Sequence, residues 1–107
     1  MAPRVVLTYP TCAVLLAMAS KPGHEWFGLE LARVTGEYPG TVYPILRRLC
    51  GQGMLTARPE GVDPRAAFRA ARIYYRLTPA GLELAREAVE WLRQRSSFTH
   101  RPPPAES

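Results

Sequence analysis

Within eight positions of the stretch TGEYPGTVYPILRRLCGQGM stand the hydroxyl of Thr41, the phenol of Tyr43 and the guanidiniums of Arg47 and Arg48. Each of these groups can meet a phosphate oxygen or a base edge. The guanidinium does so best, because its rigid fork of donors matches two acceptors at once. Further along, Arg65, Arg69 and Arg72 offer the same chemistry at irregular spacing. Thirteen of the fourteen basic residues are arginine, which suits bidentate phosphate and guanine contacts better than lysine does. A high-GC genome also enriches arginine, so position carries the argument. From Arg47 to Arg76 there are seven arginines against two acids, Glu60 and Asp63, so this segment alone matches the +5 net charge of the whole chain. Positive charge focused on one segment is the footprint of nucleic-acid binding.

Enzyme chemistry finds little support. His24 and His100 are the only histidines, and no acid–base pair, nucleophile motif or Gly-rich phosphate loop accompanies them. Cys12 and Cys50 lie inside apolar patterns as small buried residues, and two isolated cysteines make neither a zinc site nor a disulfide framework. No catalytic residue, metal or cofactor is therefore expected. At 107 residues, 47% hydrophobic and 21% charged, the chain is one globular domain with a modest core. Its longest apolar run, Ala13 to Ala19, is far shorter than a membrane span, so a cytoplasmic protein with no membrane partner is expected.

The basic groups need elements to present them. Val42, Ile45, Leu46 and Leu49 recur at helical spacing and predict a helix opened by Pro39 and closed by a left-handed Gly53. A second helical pattern, Trp26 to Val34, precedes it and ends at Gly36, with Phe27, Leu29, Leu31 and Val34 as its apolar residues. Two short helices joined by a tight glycine turn, the second carrying the arginines, describe a helix-turn-helix; an ordinary helical hairpin with a solvated basic face reads the same way. Tyr43 has two readings, a base contact or a phenol filling the gap between helices. Leu55 to Pro59 and Ile73 to Leu77 read as strands. The polar loop between them, Glu60 to Ala71, carries the remaining arginines as a wing and is expected to be mobile without DNA. The predicted fold is thus α+β and mostly helical: a winged helix-turn-helix with three N-terminal helices, a two-stranded wing and a C-terminal helix.

The first helix runs from a Thr8 cap through Ser20, and His24 to Trp26 can form a very short strand. Val14, Leu15 and Met18 make the first helix apolar on more than one side, which fits either a second copy packing against it or a central core helix. From Thr78-Pro79 the last helix carries two adjoining apolar stripes, one of Leu82, Ala85, Val89 and Leu92 and one of Leu84, Ala88 and Trp91. An arc this broad calls for a second surface, and a copy of the same helix is the simplest one. Val14, Leu15, Met18, Leu84, Ala88, Val89, Trp91 and Leu92 are accordingly the expected dimer interface. The expected divisions are a DNA-binding domain over 1–78, a dimerisation helix over 79–97 and a disordered tail over 98–107.

These elements now meet specific words. The run GTVYPILRRLCGQGML resembles the recognition-helix segment of PadR-like transcriptional regulators. YYRLTPAGLELA resembles that family's second wing strand and the start of its last helix, and FGLELARVTG fits the helix preceding the recognition helix. The resemblance spans about Thr8 to Arg95. It implies a winged-helix fold, dimerisation through the terminal helices, and promoter binding that usually represses. Position by position, it implies that Thr41, Tyr43 and Arg47 face DNA and that Arg65, Arg69 and Arg72 serve the wing. The chain departs from the pattern where Tyr38-Pro39 replaces a small polar cap, and its single C-terminal helix places it with the short members. In some of those, interface aromatics bind flat hydrophobic compounds; for Trp91 that role stands beside plain packing. Expected partners are double-stranded DNA, a second copy of the chain and, on the Trp91 reading, a small hydrophobic effector. An adaptor that docks an acidic protein on its wing or third helix is the alternative.

Overall fold

The computed structural model describes residues 5–61 and 63–99. Among them the elements run α1 (Tyr9–Ala19), β1 (Trp26–Phe27), α2 (Gly28–Thr35), α3 (Pro39–Gly51), β2 (Leu55–Pro59), α4 (Pro64–Ala67), β3 (Ile73–Leu77) and α5 (Pro79–Thr99). Thr8 caps α1 by accepting the Thr11 N–H at 3.2 Å, with Pro10 in the first turn, where no N–H is needed. Cys12, Val14, Leu15 and Met18 are buried, because α1 packs against α2, α3 and α5 together. The all-round apolarity of α1 is thereby accounted for inside one chain.

The second helix starts later than its apolar pattern predicts. Trp26 and Phe27 are extended instead and pair antiparallel with Tyr75 and Tyr74. Glu30 fixes the new start by accepting the Phe27 N–H at 3.2 Å, which satisfies one of the donors a helix N-terminus leaves open. Leu31 and Ala32 face the core, whereas Leu29 and Val34 lie exposed, contrary to the expected stripe. Gly36, at φ 77°, ends the helix.

In α3 the expected stripe holds: Val42, Ile45, Leu46 and Leu49 are all buried. Pro39 opens the helix and Tyr38 supplies no side-chain cap. Pro44 sits inside the helix and cannot donate to the carbonyl one turn back. The short β1 joins the two strands of the wing in one sheet, in the order β1-β3-β2. Leu55 faces Leu77 and Pro59 faces Ile73 across the wing. Beyond that last pair the chain is no plain loop. It folds into α4, and the Glu60 N–H closes the base of the lobe on the Arg72 carbonyl at 2.8 Å.

Thr78 begins α5 and ties it to the α3–β2 corner. Its N–H donates to the Met54 carbonyl at 3.0 Å and its hydroxyl to the Gly53 carbonyl at 2.7 Å. The same hydroxyl accepts the Gly81 N–H at 3.0 Å. The helix continues to Thr99, two residues into the stretch expected to be a tail; residues 100–107 lie outside the described residues.

Candidate nucleic-acid interface

Because Val42, Ile45, Leu46 and Leu49 take the inward face of α3, Tyr43, Arg47 and Arg48 are left exposed. Thr41 is half-buried in the first turn, its N–H bonded to the Tyr38 carbonyl at 2.9 Å. Arg47 and Arg48 make no side-chain hydrogen bond or ion pair among the described residues. Tyr43 fills the gap between the helices and keeps part of its surface open to solvent. Its ring lies against Gly28, with Oη 2.7 Å from where a β-carbon there would stand, and the residue still keeps 40% of its exposure. Glycine at 28 is what lets a phenol close the α2–α3 gap and remain on the surface.

Between α2, α3 and the wing lies a cleft of about 630 Å³. Phe27, Ile73 and Tyr75 give it apolar walls, and Tyr43, Arg47 and Arg72 supply its polar ones. Arg33 of α2 reaches the same cleft. Sequence reasoning missed it because it lies outside the basic segment and is brought in only by helix packing. Burial pushes the Tyr75 phenol up, with the nearby Arg47 charge pulling the other way. Cys50 also lines the cleft. Burial raises its thiol, and it raises that of Cys12 in the core against the pull of Arg95.

The wing arginines divide. Arg65 on α4 is exposed, and its backbone N–H meets the Asp63 carboxylate at 3.0 Å. Arg72 lays its guanidinium 4.0 Å from the Phe27 ring centre. Arg69 grips Glu60 with two hydrogen bonds, at 2.8 and 2.6 Å. Arg58 is likewise paired with Glu25 and stacked on Tyr74. Two of the seven arginines counted in the sequence are therefore neutralised inside the fold, leaving Arg47, Arg48, Arg65, Arg72 and Arg76 without a carboxylate among the described residues, with Arg72 stacked on Phe27 and Arg76 donating to the Gly23 carbonyl.

Glu60 is the brace of the wing. The Arg69 hydrogen bonds, the Arg72 N–H at 3.1 Å and then the charges of both arginines hold its carboxyl at about 2. A carboxyl depressed from its unfolded value of 4.5 contributes stability that is complete above 4.5 and is lost as pH falls through 2. Amide protection of residues 60–72, followed by hydrogen exchange, is thus expected to persist at pH 5 and to decay toward pH 2. Glu60→Gln should lower it at neutral pH and release Arg69. The slope of log affinity for DNA against log salt then steepens by about 0.9, the yield of one new phosphate contact. Unchanged protection together with an unchanged slope would show that Glu60 braces nothing.

The residues expected at a dimer interface also separate. Val14, Leu15, Met18, Leu84 and Ala88 are at most 7% exposed within the single chain. Val89 is 39% exposed, and Trp91 and Leu92 are half-buried. Trp91 meets Tyr9 edge-on at 5.1 Å and carries the Arg95 guanidinium 3.7 Å from its ring centre. Both contacts favour its packing role.

No protein-family model matches the chain, and no curated protein does. Solved structures do. BpsR of Bordetella bronchiseptica, whose DNA binding is regulated by 6-hydroxynicotinic acid, superposes with a TM-score of 0.73 at 25% identity, covering 97% of this chain and 74% of its own. The PcaV transcriptional regulator of Streptomyces coelicolor, solved with its natural ligand, gives 0.68 at 28% identity, covering 94% and 65%. The fold is that of a winged-helix transcriptional regulator. ZitR of Lactococcus lactis, a zinc-responsive MarR family member, shares the fold with a TM-score of 0.63 at 18% identity, covering 92% and 62%. All three are longer, and this chain spans less than two thirds of both PcaV and ZitR. Among the described residues no helix is long and apolar enough to cross a membrane.

Proposed function

We propose that the chain is a PadR-like repressor that binds a palindromic operator as a homodimer, with α3 in the major groove and the wing on the backbone or minor groove. The observation that carries this reading is the pair of unpartnered guanidiniums, Arg47 and Arg48, on the outward face of a helix whose inward face is fully committed to the core. Two such helices one helical turn apart would meet successive major grooves. Of the expected interface residues, Val89, Trp91 and Leu92 keep surface available to a second copy, and Tyr9, 5.1 Å from Trp91, is an exposed side chain beside them. The runs GTVYPILRRLCGQGML and YYRLTPAGLELA support the PadR-like kinship.

Selecting bound duplexes from random DNA tests the reading. A two-fold symmetric consensus is expected, bound with an affinity that falls steeply with salt, by a protein whose mass in light scattering is that of two chains. A monomer that enriches no consensus would end the proposal. A salt-insensitive protein partner would favour the adaptor reading.

The cleft favours a second reading, a ligand-responsive regulator. Its volume of about 630 Å³ lies within the ordinary range for small-molecule sites. A small acid held there by Arg47 or Arg72 would take the guanidiniums that a phosphate needs. A flat effector bound beside Trp91 is less favoured, because Tyr9 and Arg95 already pack on that ring.

A further inference from the structure

The described residues turn left-handed at three places. Gly36 ends α2 and Gly53 follows α3, both at φ 77°, and the third is Phe68 at φ 56°, immediately after α4. A helix closed in this conformation ordinarily uses glycine, because a β-carbon is disfavoured there. This chain follows that rule at its two other left-handed turns and breaks it at the tip of the wing. Phe68 gains nothing from the fold in return, since it is 93% exposed. A strained backbone holding an aromatic ring out in water points to a use outside the chain.

The surroundings say which partner the ring suits. Arg65, three residues earlier, is exposed, with its guanidinium unpaired among the described residues. The Asp63 carboxylate beside it is taken up by the Arg65 N–H, and the Asp63 carbonyl accepts the Ala67 N–H at 3.0 Å. Arg69 and Arg72 anchor the far side of the lobe on Glu60. The ring therefore stands on a braced lobe with a cation at its edge, and ordering it on contact costs little conformational entropy.

We propose that Phe68 is a wedge that enters the minor groove from the wing and inserts between two base pairs, partly unstacking them and kinking the duplex. This rests on the DNA-binding reading above. The ring leaves water for the faces of the separated bases, while Arg65 meets the flanking phosphates. Pyrimidine–purine steps unstack most readily, so the operator carries a TA or CA step where the wing lands.

The test uses the full chain and the duplexes selected by the wild type. Bending is read from permuted fragments, and unstacking from 2-aminopurine placed at the flexible step. The wild-type complex is expected to bend DNA by roughly 20–90°. Phe68→Ala and Phe68→Gly should lose the bend and the fluorescence rise, and bind roughly tenfold more weakly. Phe68→Leu, still an apolar wedge, should keep most of both. The salt slope should stay the same in all four proteins, because no phosphate contact is removed. Phe68→Gly should melt at or above the wild-type temperature, since it relieves the backbone without opening a cavity; weak binding by that variant is then not unfolding. Equal bend and equal fluorescence in the wild type and Phe68→Ala would overturn the wedge and leave DNA binding intact. A wild type that enriches no duplex would overturn both.

Discussion

Gly81→Ala is expected to destabilise the chain by about 3 kcal/mol, a fall in Tm on the order of 15 °C for a domain of this size. Helix propensity alone says the opposite, since replacing an interior helical glycine by alanine ordinarily gains about 1 kcal/mol. The contact decides the sign. A β-carbon at Gly81 would fall on the Met54 carbonyl oxygen and stand 3.0 Å from a Leu77 methyl. Carbonyl oxygens of a packed corner cannot swing aside as a side-chain end can. The same Met54 oxygen also accepts the Thr78 N–H, so moving it weakens the α5 cap as well. Gly51→Ala is the matched control. It too is helical, but nothing lies within 4 Å of the added carbon, and a gain of roughly 0.5–1 kcal/mol is expected. Thermal melts of both proteins give the answer; a Gly81→Ala protein melting with the wild type would mean the corner is softer than its hydrogen bonds imply.

Arg47→Ala is expected to cost operator affinity about 1–3 kcal/mol and to relax the preference at one base pair per half-site. Arg47 stands one turn beyond Tyr43 on the exposed face of α3 and lines the cleft with it. Lacking a carboxylate partner among the described residues, it gives up no ion pair when it turns to a guanine edge. Arg47→Lys keeps the charge without the two-pronged geometry, so random-sequence affinity should survive better than specificity. Site selection repeated with the alanine variant separates a reading residue from a positioning one. The same consensus, bound uniformly more weakly, would assign Arg47 to a phosphate.

How far the sequence could be read follows the range of the forces involved. The α3 stripe is a local pattern, and all four of its members are buried as the period implies. The strands of the wing were read at their observed bounds, Ile73–Leu77 from β-branched and aromatic residues in a row. A very short strand was read at His24 to Trp26, but its true place at Trp26 and Phe27 was not, since what fixes it is Tyr75 and Tyr74, nearly fifty residues away. The wing shows the same limit for charge. Counting arginines gives the balance of a segment but not its pairings, so the closure of Arg69 on Glu60 and of Arg58 on Glu25 had no signature in spacing. The first helix was ambiguous for a different reason: an apolar surface names no partner, and α5 of the same chain fills that place.

Burial holds the thiols of Cys12 and Cys50 away from the form that oxidants attack. Oxidants attack the thiolate, and redox-sensing cysteines are exposed groups with a lowered proton affinity. Burial does the reverse to Cys12 and to Cys50, the chain's only two cysteines. Both thiols are thus held toward the protonated form, one inside the core and one on the cleft wall. A compound that settled beside Cys50 would meet a thiol that burial makes less ready to ionise, which favours reversible occupancy over covalent capture.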